Sequence, residues 1–132
     1  YLNNYDINPE HFYSDIKDVD EKKLPAVDLI FTSPPCQTFS AQGKRAGFED
    51  LTKGTLIFDS LRIINHQKPK YVIYENVKGV VTHDNGNTFK IIKNSFENVG
   101  YKNNWQVLNS LDFELPQHRE RLFGLLSRKD LA

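Results

Sequence analysis

The chain has 132 residues, 17 Lys and Arg against 17 Asp and Glu, and an apolar fraction of 39%. That is the composition of one globular domain with a modest core, not of a disordered segment. No apolar run reaches the roughly 20 residues of a transmembrane helix. Balanced charge gives no general attraction to nucleic acid, and basic residues gather only locally, in "QGKRAG" and "QHRERLF".

In chain order, "AVDLIFT" (26–32) has the length and β-branched content of a strand. In "TLIFDSLRIINHQKPK", Ile57, Leu61 and Ile64 follow helical spacing and Pro69 ends the helix. A second strand follows in "KYVIYEN" (70–76). In "HDNGNTFKIIKNSFENVGY", Asn85-Gly86 marks a turn, Asn87 is the expected N-cap and Gly100 the expected C-cap. Phe89, Ile92 and Phe96 line one face of the helix between them. "WQVLNSLDF" (105–113) reads as a strand running into a loop, and "RLFGLLS" (121–127) as the last strand.

Continuous apolar runs suit strands buried on both faces of a parallel sheet. Their alternation with helices predicts a doubly wound α/β sheet with right-handed crossovers. Such sheets bind ligands at the carboxyl ends of their strands, which is where Cys36 and Glu75 fall. No repeat or linker divides residues 1–132, which read as a single domain.

Four stretches carry chemistry. "PPCQ" mounts the only cysteine on a turn stiffened by two prolines, a setting for a presented nucleophile and equally for a packed thiol. "YENV" ends a buried strand in Glu75, a position that suits a proton donor or a helix cap. "PQHRER" spaces Arg119 and Arg121 by two, on one side of an extended chain, to grip a phosphate, carboxylate or carbonyl or simply to open a basic strand. Gly47 and Gly54 bracket a long polar loop, a lid or an ordinary surface excursion. One cysteine makes no internal disulfide, which fits a reducing cytoplasm, and with four scattered histidines it argues against a metal site.

Together, "SPPCQTFSAQGKRAGFED", "ENVKG", "HDNGNTF" and "LPQHRERLF" resemble the motifs of the cytosine-C5 DNA methyltransferase family, over nearly the whole chain. The branch it is most similar to is that of bacterial modification enzymes of restriction systems. The resemblance implies a partial S-adenosylmethionine-dependent methyltransferase sheet, Rossmann-like, with an antiparallel last strand. That reversal would carry Arg121 to the edge shared by Cys36 and Glu75.

It implies further that Cys36 attacks C6 of a cytosine flipped out of double-stranded DNA, that Glu75 engages N3 and that Arg121 binds O2. Asn76 would fix the Pro-Cys loop, and Arg119 would support this network. Asp15, Pro35 and Leu56 correspond to positions around the methyl donor S-adenosylmethionine, with a strand ending near Asp15. Gln37, Ser40, Gln42, Lys44 and Arg45 lie in the matching loop, which closes over DNA. The implied setting is the bacterial cytoplasm and its nucleoid.

The family's Phe-x-Gly-x-Gly cofactor loop and its target-recognition region are not among these residues, and there is no methionine, even at position 1. The expectation is the central part of a catalytic domain from a longer reading frame, inactive alone. Its open sheet edge would self-associate or take a complementing chain. Rival readings are the tRNA-methylating branch, which shares Pro-Pro-Cys and Glu-Asn-Val, and a non-catalytic remnant that only binds. Amino-methyltransferases carry an aromatic residue where Cys36 stands.

Overall fold

The computed structural model describes residues 3–35 and 56–131. Alternating apolar residues build its strands, so one face of each strand is buried and the other is open. The strands are β1 (Leu29–Thr32), β2 (Tyr71–Val77), β3 (Tyr101–Asn109) and β4 (Glu120–Arg128). They form one sheet in the order β1-β2-β4-β3. β1 runs parallel to β2, and β4 lies antiparallel between β2 and β3. The last strand is therefore the reversed one, as the family resemblance implied.

Two helices, α1 (Leu56–Gln67) and α2 (Asn87–Asn98), connect β1 to β2 and β2 to β3. Both connections step the same way across the sheet, and right-handed crossovers then put both helices on one face. The core is the seam on that side. Ile57, Leu61 and Ile64 of α1 and Ile92 and Phe96 of α2 pack on Val72, Tyr74, Leu122 and Leu126 of the sheet. Tyr74 sits edge-on to both Phe96 and Trp105, with ring centroids 5.8 and 5.5 Å away.

The other face of the sheet is open. Leu29, Phe31, Tyr71 and Leu125 are 47–60% exposed, so burial on both faces does not hold for the described residues. They carry one helical layer of the doubly wound arrangement.

Several boundaries shift for local reasons. β1 starts at Leu29 rather than 26; just before it, the Asp28 carbonyl accepts from Tyr71 N and the Asp28 carboxylate pairs with Lys70. β3 starts four residues before Trp105, since Lys102, Asn104 and Gln106 are its solvent side. Residues 110–113 close as a 3-10 turn. Asn87 is the first residue of α2, and its N-cap is Gly86 at φ +85°, a left-handed conformation that glycine adopts without strain. At the other end Val99 caps α2 and Gly100 follows at φ +98°.

No strand ends near Asp15. Residues 9–23 hold three 3-10 turns whose Asn8, Asp15 and Asp20 side chains accept from the backbone two residues on, which favours turns over a ladder. Arg62 of α1 ties this segment down by donating to the carbonyls of Ile16 and Val19 and pairing with Glu21.

Candidate active site

The carboxyl ends of β1 and β2 and the start of β4 meet at one edge of the sheet. The register pairs Val77 with Arg121 and Glu75 with Phe123, so Glu75 and Arg121 leave the sheet on the same face, opposite α1 and α2. Arg121 Nε lies 3.3 Å from Glu75 Oε1, with both side chains mostly buried. On the other carboxylate oxygen, Ser33 Oγ donates to Glu75 Oε2 at 2.5 Å. Ser33 is the first residue beyond β1.

Asn76 points to the opposite, buried face. Its Nδ2 donates to the Pro34 carbonyl at 3.0 Å and to the Tyr74 hydroxyl at 2.8 Å, and its Oδ1 accepts from Val77 N at 2.9 Å. Thr32 Oγ1 donates to Ser60 Oγ at 2.8 Å, joining the end of β1 to α1. The segment 32–34 is thus tied at successive residues to α1, Glu75 and Asn76. Beside it Lys78 Nζ meets Glu120 at 2.8 Å, and its hydrogen bond holds that carboxyl below the usual carboxylate range.

The remaining sequence candidates fall in three places. Cys36, Gln37, Ser40, Gln42, Lys44 and Arg45 lie outside the described residues. Pro35 is exposed beside Pro34, and Leu56 opens α1, its carbonyl accepting from Ser60. Arg119 is exposed one residue before β4, and its backbone is held by Asn109 and Ser110. Asp15 is exposed in the turn segment, accepting from Lys17 N at 2.9 Å, and no described contact joins it to Glu75. Among the described residues no cluster of three His, Cys, Asp or Glu could hold a metal.

Sequence reasoning passed over Ser33 and Tyr74. Ser33 carried a signal, since the residue just past a strand's carboxyl end faces the ligand edge. The hydroxyl of Tyr74 had none, because the residue reads as one more core aromatic.

The profile of C-5 cytosine-specific DNA methylase matches residues 1–132. Type II methyltransferase M.HhaI of Haemophilus parahaemolyticus is 45% identical over 131 residues, 99% of this chain and 39% of that protein. Orphan methyltransferase M.SPRI of Bacillus phage SPR is 42% identical over 127 residues, 96% of this chain and 29% of that protein. The chain therefore spans about a third of the length of these relatives. Among solved structures, the S. pombe Dnmt2 methyltransferase shares the fold at a TM-score of 0.62 and 22% identity, over 96% of this chain and 43% of that one. A family profile matched end to end, relatives at 42% and 45% identity and a shared fold lead to one conclusion: the chain belongs to the C-5 cytosine-specific DNA methylase family.

Proposed function

We propose that the chain forms the central part of a DNA cytosine-C5 methyltransferase catalytic domain, acting on double-stranded DNA in the bacterial cytoplasm. The observation that carries this reading is the Glu75 carboxyl, held between Arg121 and Ser33 at the edge from which Pro34-Pro35 leads to Cys36. C5 of cytosine is a poor nucleophile until something adds at C6, and the sequence offers one thiol for that addition.

The Cys36 thiolate bonds to C6 while Glu75 passes a proton to N3, so the ring's electrons collect at C5. Arg121 holds O2, and Arg119 adds positive charge at the entrance of β4. When bound, S-adenosylmethionine would supply an electrophilic methyl group to C5 and leave as S-adenosylhomocysteine. Loss of the C5 proton to a general base then expels the Cys36 thiolate, restores the C5–C6 double bond and lets N3 return its proton to Glu75. The base must leave the stack, because C6 is attacked perpendicular to the ring. Asn76 holds the Pro34 carbonyl and with it the approach to Cys36.

Residues of this chain suit the methyl donor. Asp15 offers an exposed carboxylate for the adenine amino group, and Pro35 and Leu56 offer apolar surface to the purine. Gln37, Ser40, Gln42, Lys44 and Arg45 are the proposed contacts to the DNA backbone. Further polypeptide, from the same gene product or a partner, would complete the cofactor loop and the target-recognition region. The β1 edge, unpaired among the described residues, and the apolar residues exposed on the sheet face support pairing with such a chain or with a second copy.

The test is methyl transfer from labelled S-adenosylmethionine to mixed-sequence duplex DNA and to tRNA, with the protein in the longest form its gene encodes. Label in DNA cytosine, absent with Cys36→Ala, is the expected result. Label in tRNA alone would move the assignment to the RNA branch.

A further inference from the structure

Ser33 makes a contact that the proposed reaction leaves unused. Its hydroxyl donates to Glu75 Oε2 at 2.5 Å across 42 residues of sequence, while Arg121 Nε lies 3.3 Å from Oε1. A glutamate side chain has three rotatable bonds, and a carboxyl that must meet one ring nitrogen loses rate when it swings among rotamers. Arg121 alone anchors one oxygen and leaves the carboxyl free to turn about that contact. A second donor on the other oxygen fixes the plane. That donor belongs to the same short segment that leads through Pro34 and Pro35 to Cys36, so one hydrogen bond couples the carboxyl to the turn before the thiol.

We propose that Ser33 is a positioning residue that orients the Glu75 carboxyl, an inference that rests on the cytosine-methylating reading above. As Cys36 adds to C6 and N3 takes the proton, negative charge develops on the Glu75 carboxylate. Ser33, itself exposed, donates to one of the two oxygens over which that charge spreads, and a hydrogen bond to a charged acceptor is stronger than one to a neutral acceptor. The bond therefore counts more in the transition state than in the resting enzyme, and it acts on rate rather than on DNA affinity.

The C5 hydrogen of cytosine reports this step without the methyl donor. Cys36 adds to C6 as N3 gains the Glu75 proton, and C5 takes a proton from water. Loss of the original C5 hydrogen as a proton, expulsion of the thiolate and return of the N3 proton to Glu75 regenerate cytosine. Release of tritium from a mixed-sequence duplex pool labelled at cytosine C5 measures it.

Ser33→Ala should slow release by about 10- to 100-fold, the usual worth of one hydrogen bond to a charged group. Affinity for the same duplex, read by anisotropy, should change less than twofold. Ser33→Thr, which keeps the hydroxyl, should return release to within about threefold of the parent. The proposal is overturned if Ser33→Ala matches the parent, or if Ser33→Thr is as slow as Ser33→Ala. Parent protein that binds the duplex but releases no more tritium than Cys36→Ala would instead refute the underlying reading.

Discussion

Asn76 shows how much one side chain can hold in place at the edge of the sheet. It is 7% exposed, and all three of its side-chain contacts are internal. Asn76→Ala removes a partner from the Pro34 carbonyl and the Tyr74 hydroxyl, which should cost about 1–3 kcal/mol, read as a lower urea midpoint at constant m. Asn76→Asp keeps the shape but points carboxylate oxygens at the Pro34 carbonyl, so it should be the more destabilising of the two at neutral pH. Tyr101 gives a pH test. Burial pushes its hydroxyl from 10.0 up to about 12, and it donates to the Pro69 carbonyl at 2.6 Å. Below pH 10 the phenol is protonated folded or unfolded. Between 10 and about 12 only the unfolded chain releases the proton, so stability falls as pH rises and levels off above that window. Tyr101→Phe should be less stable at neutral pH and show a flatter decline between pH 10 and 12, measured by thermal melts across that range.

At the scale of elements, the helices were the legible part of the sequence. Ile57, Leu61 and Ile64, and likewise Ile92 and Phe96, repeat at helical spacing because each helix covers one side of the sheet and no more. β3 was harder to see, since Lys102, Asn104 and Gln106 alternate with its inward residues and resemble a polar loop. The place of β4 was not readable from spacing at all. A strand's direction depends on which neighbours it pairs with, and only the family resemblance suggested the reversal. The β4–β3 pairing also explains Gly124. Directly opposite Trp105, it leaves no room for a side chain, for a methyl group there would lie 2.5 Å from the nearest ring carbon. Gly124→Ala should therefore cost about 1–3 kcal/mol and disturb the Trp105 fluorescence. An unchanged urea midpoint would contradict this packing.

For the molecule as a whole, the open face of the sheet is the dominant feature. Phe31 at 60% and Leu125 at 54% exposure share it with Leu29 and Tyr71, next to the unpaired edge of β1 among the described residues. Apolar surface of this kind is a site of association. Sedimentation velocity of the 132-residue chain should show mass rising with concentration, and Phe31→Lys should reduce it. A monomer at every concentration would contradict that expectation. In the candidate site, the resemblance of the motifs to the family, rather than spacing alone, singled out Glu75, Asn76 and Arg121. Their division between the two faces of the sheet, Asn76 buried and the other two on the open side, follows from register and could not be read from the motifs.

The most direct test of the central claim is covalent trapping on mixed-sequence duplex DNA containing 5-fluorocytosine, with S-adenosylmethionine present. It should be run with the protein in the longest form its gene encodes, beside its Cys36→Ala variant. With fluorine in place of the C5 hydrogen no proton can be removed from C5 and the thiolate is not expelled, so the thiol–C6 bond should persist as a denaturation-resistant protein–DNA adduct, absent in the variant. An adduct that forms equally with Cys36→Ala, or methyl transfer to cytosine that proceeds without Cys36, would contradict the account.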